Sequence, residues 1–299
     1  MPGDFAAHDS PLGLSGTRRL LDVSLKIALL AYLFLKSDIG TVLIPVPMMS
    51  FALAGQTDVN AFLTGFFWVF LHILAFDISN QVVGEHEDRL SKPSRPIPSG
   101  QITADDARLL QFAVVLVAIL YSWRQGLLVL SVVYLAGSTA YNEGNCARWW
   151  YLKSVMGGCG YMCFLFGMIT CMAHGQYPSA PTLRVIITTG LIFATTGHAQ
   201  DFRDREGDAA IGRQTLPMIM PQWLARWSLS ALLFMWTTVL IYMWHPPLAL
   251  CMAVYSLAAV TAASFTKDHS QQADQRSFGW YLVWMSVCHM LFWKTAQDV

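Results

Sequence analysis

Long apolar runs recur along the whole of this 299-residue chain and restrict its fold more than any other feature. Nine of them read as membrane-spanning segments, at roughly residues 33–54, 61–82, 103–122, 126–141, 154–173, 183–200, 222–243, 247–265 and 277–294. Several hold only 16 to 19 residues, short for a tilted span of about 20. Only 13% of the residues are charged, 55% are hydrophobic and the mean hydropathy is +0.44. A soluble domain carries about 25% charged residues. A soluble fold would therefore have to bury nearly every long segment, and the expectation is an all-α, polytopic membrane protein.

Residues 1–16 are polar, small and punctuated by Pro and Gly, with no basic lead into an apolar core. They read as a disordered tail rather than a cleaved signal, which leaves 17–299 as one transmembrane domain. An amphipathic stretch from Leu20 to Leu35, with Arg19 and Lys26, is placed along the membrane interface. With nine spans, sixteen of the nineteen Lys and Arg fall on or beside the N-terminal side, and only Arg124, Arg184 and Lys294 on the other. That asymmetry supports the helix count and puts the N-terminus in the cytosol. Net charge is zero, which gives no footprint for nucleic acid, and nothing calls for an obligate protein partner. Cys159 and Cys163 are one turn apart with no His beside them, so they read as small apolar residues.

The charges are concentrated. Residues 77–88 and 201–208 hold eight of the nineteen acids: Asp77, Glu85, Glu87, Asp88, Asp201, Asp204, Glu206 and Asp208. Each stretch follows an apolar run, after the second and the sixth span. This is the layout of a duplicated four-helix unit around a central cavity, with a ninth helix added. If the second span continues as helix, Asp77, Asn80, Gln81, Gly84 and Asp88 share one face. Asp201, Asp204 and Asp208 do the same on their own helix. Two such columns repel unless bridged, and Mg²⁺ prefers oxygen ligands shared between carboxylates and phosphates. Arg89, Lys92 and Arg95 follow the first stretch, and Arg205 and Arg213 lie in or after the second. They suit the outer oxygens of a diphosphate. His86 reads as a bystander, because its acidic neighbours diverge around a helix.

At these residues the sequence resembles the UbiA superfamily of intramembrane prenyltransferases. Asn80 and Asp88 match the ends of that family's Asn-x-x-x-Asp-x-x-x-Asp motif, and Lys92 to Gly100 (KPSRPIPSG) match the loop that follows. The second motif is matched by Asp201, Asp204, Gly207, Asp208, Gly212, Thr215 and Leu216. Tyr141 and Lys153 are similar to the family's tyrosine after the fourth helix and its basic residue entering the fifth. The resemblance covers about residues 30 to 295. It implies a nine-helix fold in which Mg²⁺, held by Asn80, Glu87, Asp88, Asp201, Asp204 and Asp208, binds an allylic prenyl diphosphate. Asn80, Asp88, Asp204 and Asp208 are the implied catalytic residues. Arg89, Lys92, Arg95, Tyr141, Lys153 and Arg213 are the implied substrate contacts. In a eukaryote the endoplasmic reticulum is the implied membrane.

One position departs from the pattern. The middle Asp of the first motif is Gly84 here, so Glu87, or Glu85, has to substitute, and Glu87 is the better placed. The altered motif resembles a fungal branch containing terpene cyclases, in which the substrate's own double bonds attack the cation. Cyclisation of a C15 or C20 diphosphate is therefore the first expectation, transfer to an aromatic acceptor the second, and a secondary transporter with midplane ion sites the third. Cyclisation needs aromatic walls, and Phe66, Phe67, Trp68, Phe70, Tyr134, Tyr161, Phe164, Phe166, Phe193, Trp236 and Trp284 are the pool from which they are drawn.

Overall fold

The computed structural model describes residues 12–54 and 58–291. Their regular structure is helical apart from one isolated parallel bridge, between Trp149 and Gln214. Helix α1 (Leu12–Leu35) leads through a short π-helical turn (Ile39–Leu43) into α2 (Pro45–Ala54). Then come α3 (Val59–Val83), α4 (Glu85–Ser91), α5 (Ala104–Arg124), α6 (Leu128–Asn142) and α7 (Trp150–Met172). After α8 (Ala180–Thr196) the chain tightens into a 3₁₀ turn (Gly197–Phe202) before α9 (Arg205–Ala210) and α10 (Leu216–Ile219). Helices α11 (Gln222–Trp244), α12 (Leu248–Lys267) and α13 (Gln271–Met290) complete the described chain.

The helix ends follow local chemistry. Asp58 and Thr103 accept the Ala61 and Asp106 backbone N–H groups and cap α3 and α5. Ser179 and Ser270 do the same for α8 and α13. Helix α1 starts at Leu12, so the end of the expected disordered tail is helical; residues 1–11 lie outside the described residues. The segment 33–54, expected as one span, is broken. Lys36, Ser37 and Asp38 interrupt the apolar run, and the two halves, Ser24–Leu35 and Ile39–Ala54, meet at 82°. Asp38 fixes the break: its carboxylate accepts from Thr41 Oγ1 at 2.6 Å, and its carbonyl accepts from both Val42 N and Leu43 N.

Among the described residues α3, α7, α11 and α12 are long and apolar enough to cross a membrane, and the bent pair makes a fifth if taken as one span. Helix α6 is apolar but short, α8 has 17 residues, and α5 and α13 carry charges in their first turns. The surface supports a membrane setting independently of length. On α5 the outward row Leu109, Phe112, Leu116, Leu120 and Trp123 is exposed, and only hydrocarbon covers such a stripe without cost. Inside, Trp68 Nε1 donates to Ser122 at 2.9 Å and Trp284 Nε1 to Thr237 at 3.0 Å, so the large buried indoles are satisfied.

Candidate active site

Helix α3 aims the first acidic stretch inward. Ile73, Phe76, Asp77 and Asn80 fall on one face of α3 and line a central cavity. The helix does not continue to Asp88, as the single-column expectation required. It stops at Gly84, whose N–H closes on Asn80 O at 2.8 Å, and a Cβ at Gly84 would itself lie 2.8 Å from that oxygen. Restarting as α4, the chain turns Glu87 and Asp88 into the cavity wall and Glu85 outward. Arg89 goes outward too: 59% exposed, it pairs with Glu85 at 2.6 Å and does not line the cavity, contrary to its expected substrate contact. Gln81 also leaves the column, donating to Phe34 O at 3.1 Å.

The second stretch is built differently. Asp201 closes the 3₁₀ turn, and Asp204 precedes α9; both line the cavity. Asp208 does not, which corrects its place in the expected column. The 3₁₀ turn ends at Phe202 and α9 starts only at Arg205, so Asp201 and Asp208 belong to separate helices with no common face, and Asp208 ends beneath the wall. There it accepts from Arg213 at 3.0 Å and Thr215 at 3.1 Å. The whole segment rests on a fully buried ion pair, Arg226–Asp274 at 2.6 Å, whose guanidinium lies over the Phe202 ring at 4.6 Å. The Trp149–Gln214 bridge ties the start of α7 to the same segment, and Lys153 of α7 donates to Asp201.

Cations already join the two stretches. Lys92 lies 3.8 Å from Glu87 and 3.4 Å from Asp204. Arg213 spans Glu87, at 3.1 Å, and Asp208, at 3.0 Å. Arg95 Nη1 reaches both Asp88 oxygens at 2.8 Å. The three inner carboxylates respond unequally. Burial raises the pKa of Asp88 despite the pull of Arg95, and burial raises that of Asp201 to about 6 against the pull of Lys153. Burial acts on Asp204 as well, but Lys92 and Arg203 overcome it and hold its pKa below the ordinary value. Asp204, with 22% of its side chain exposed, is thus the carboxylate most ready to meet a cation from solution.

The cavity encloses about 620 Å³, within the usual ~300–1,000 Å³ of small-molecule sites. Its mouth carries six carboxylates (Asp38, Asp77, Glu87, Asp88, Asp201, Asp204) against six cations (Lys36, Lys92, Arg95, Lys153, Arg203, Arg213). Away from these charges the wall is aromatic, with Tyr134, Tyr161, Phe164 and Phe193, while Phe76 and Tyr141 meet at 5.3 Å beside the charged residues. From the aromatic pool the fold thus selects Tyr134, Tyr161, Phe164 and Phe193; Phe66, Phe67, Trp68, Phe70, Phe166, Trp236 and Trp284 lie elsewhere.

No three His, Cys, Asp or Glu among the described residues stand close enough to hold a metal ion by themselves. The donor set nevertheless suits Mg²⁺, which favours one or two carboxylates plus phosphate oxygens and water over an all-protein cage. Of the implied metal ligands, Asn80, Glu87, Asp88, Asp201 and Asp204 share the cavity and Asp208 does not; of the implied substrate contacts, Lys92, Arg95, Tyr141, Lys153 and Arg213 share it and Arg89 does not. Lys36, Asp38, His198 and Arg203 also line it without having been singled out from sequence. The polar interruption at residues 36–38 was the available signal for two of them.

Residues 42–291 match the family described as the UbiA prenyltransferase family. Fumagillin beta-trans-bergamotene synthase of Aspergillus fumigatus is 36% identical over 258 residues, covering 85% of this chain and 88% of that protein. Somaliensene A/B synthase of Streptomyces somaliensis is 31% identical over 196 residues, 63% of this chain and 64% of its own. Among solved structures, a UbiA homolog from Archaeoglobus fulgidus bound to GPP and Mg²⁺ superposes with a TM-score of 0.62, at 11% identity over 88% of this chain and 99% of the other. At that identity the last likeness concerns the fold.

Proposed function

The chain belongs to the UbiA prenyltransferase family and is an enzyme that uses a prenyl diphosphate, and we propose that it ionises a C15 or C20 allylic diphosphate and cyclises the resulting cation to a terpene. The transporter expectation falls with the family. One observation carries the proposal: a single cavity joins a charge-balanced mouth to an aromatic floor. Because six cations only cancel six carboxylates there, a diphosphate entering alone would leave the mouth strongly negative. Bound Mg²⁺ would supply the missing charge and stabilise the departing diphosphate. Asn80, Glu87, Asp88, Asp201 and Asp204 are the residues proposed to hold it.

Lys92, Arg95, Lys153 and Arg213 are proposed to contact the diphosphate oxygens. Lys92 and Arg213 already reach across both stretches, so an anion between them would draw the two together. Below the mouth, Tyr134, Tyr161, Phe164 and Phe193 are proposed to face the migrating cation, each well-placed ring stabilising it by roughly 0.5–2 kcal/mol. The same aromatic wall keeps water from quenching it. Cyclisation is preferred to transfer because the A. fumigatus relative, matched over most of its length, is named as a synthase of beta-trans-bergamotene. We further propose that the nine helical segments each cross the bilayer as two four-helix units and a ninth helix. On this reading the mouth opens to the cytosol, at the endoplasmic reticulum in a eukaryotic cell.

Purified protein in detergent, given farnesyl or geranylgeranyl diphosphate with Mg²⁺ and no acceptor, tests the proposal. Hydrocarbon products analysed by gas chromatography and mass spectrometry support it. Intact substrate that turns over only when an aromatic acceptor is added moves the assignment to transfer.

A further inference from the structure

We propose that Lys36, in the break between α1 and α2, is a further diphosphate contact, meeting the anion beside the loop that carries Lys92 and Arg95. This rests on the reading of the cavity mouth as a prenyl diphosphate site. Of the six cations lining that mouth, five already stand within ion-pair distance of a carboxylate: Lys92, Arg95, Lys153, Arg203 and Arg213. Among the described residues Lys36 has no carboxylate partner. It donates instead to the hydroxyl of Ser94, at 3.3 Å.

That single bond commits Lys36 weakly. An ammonium has three donors, and 3.3 Å is longer than the about 2.7–3.2 Å of an ordinary N–H···O bond. Asp38, the nearest acid in the chain, is taken up by Thr41 Oγ1 at 2.6 Å. The charge of Lys36 is therefore free for an incoming anion, whereas each paired cation is shared with the carboxylate it holds. Its backbone is nonetheless fixed. Gln81, the neighbour of Asn80, donates to Phe34 O at 3.1 Å and ties the end of α1 to α3. Ser94 lies between Lys92 and Arg95 in the chain, and all three line the cavity with Lys36. The ammonium thus rests on the loop from which those two residues reach the diphosphate.

This placement gives the broken span a purpose. Polar residues inside an apolar run are costly in a membrane unless they find partners or line a polar cavity. Lys36, Ser37 and Asp38 all line this one, at the point where the two halves of the span meet at 82°. A lysine on its flexible four-carbon stem presents a compact charge that can follow the diphosphate oxygens without a fixed geometry. On binding, the ammonium exchanges a neutral hydroxyl for a charged oxygen and gains the attraction between opposite charges.

The test is calorimetric titration of the native protein, Lys36→Gln, Lys36→Arg and Ser94→Ala in Mg²⁺. Two ligands are used, inorganic diphosphate and a non-ionisable thiolo analogue of farnesyl diphosphate. Lys36→Gln is expected to weaken both about tenfold, with melting close to native. Lys36→Arg should recover most of that affinity, and Ser94→Ala should bind at least as tightly as the native protein, because it frees the ammonium. If Lys36→Gln melts low, Lys36→Met, which keeps the apolar stem, takes its place. Native-strength binding without the charge overturns the proposal. So does a loss confined to the farnesyl analogue, which puts Lys36 against the hydrocarbon. Equal losses in Lys36→Gln and Lys36→Arg deny any role for the charge, and an equal loss in Ser94→Ala reduces Lys36 to a support for the loop; either result also overturns it. Failure of the native protein to bind either ligand overturns the diphosphate reading itself, and this proposal with it.

Discussion

The two acidic stretches look alike in the sequence and are used differently by the fold. In the first, a helix break at Gly84 turns Glu87 and Asp88 inward, and Arg95 from the stretch's own loop clamps Asp88. In the second, a 3₁₀ turn exposes Asp204, leaves Asp201 to a lysine from another helix and sinks Asp208 below the wall. Spacing decides which residues share a helical face only where the helix is continuous and regular. Elsewhere, the break decides. The pair therefore divides into carboxylates that line the cavity, Asp88, Asp201 and Asp204, of which Asp204 is the most open, and one locked beneath the wall, Asp208, between Arg213 and Thr215.

Breaking the clamp in the first stretch should produce the largest change. Arg95→Ala leaves Asp88 buried without its partner, a loss of about 3–5 kcal/mol for a buried pair. Thermal melting in detergent should show a large drop that Asp88→Asn, added to it, partly restores. A drop unaffected by the second substitution would mean that Arg95 does something other than hold Asp88.

Asp204→Asn is the complementary change and should affect turnover more than stability. Removing a charge from the open carboxylate is expected to lower the rate about 10²–10³-fold, as for loss of one electrostatic stabiliser, with melting close to native. Asp208→Asn, at the locked position, should show the reverse emphasis. If the two variants behave identically in initial rate and in melting, the distinction between open and locked acids fails.

Lys92→Ala tests the link between the stretches. Lys92 is partly exposed and lies between the buried Glu87 and the partly exposed Asp204. Its loss should raise the apparent KM for prenyl diphosphate about tenfold, equivalent to about 1.4 kcal/mol of binding, with little change in melting. A lower kcat at unchanged KM would place the lysine in the chemical step instead.

The smallest effect is expected at Glu85, which faces solvent with Arg89. Glu85→Gln should stay within about 0.5 kcal/mol in stability and leave turnover untouched. Glu87→Gln should slow turnover measurably across a Mg²⁺ titration, because Glu87 is held in the wall by Lys92 and Arg213.

Much of this arrangement was legible in the sequence. The apolar runs place α3, α7, α11 and α12 within a few residues, because hydrophobic length is a strong signal. The motif residues locate the mouth, and a flexible Gly84 with Glu87 inside and Glu85 outside was readable from helical angles. The bend at Asp38 was not, since it depends on one carbonyl accepting from both Val42 and Leu43. Nor was the burial of Asp208, which follows from a break between the 3₁₀ turn and α9 that residue spacing does not reveal. His198 was hidden for a simpler reason: a single histidine at the end of an apolar run carries no pattern.

Whether both stretches form one metal-dependent diphosphate site is decided by calorimetric titration of a non-ionisable thiolo analogue of farnesyl diphosphate. Binding should require Mg²⁺ and be weakened by Asp88→Asn and Asp204→Asn alike, in protein that still melts cooperatively. Binding of equal strength in EDTA, or a site indifferent to one of the two substitutions, would contradict it.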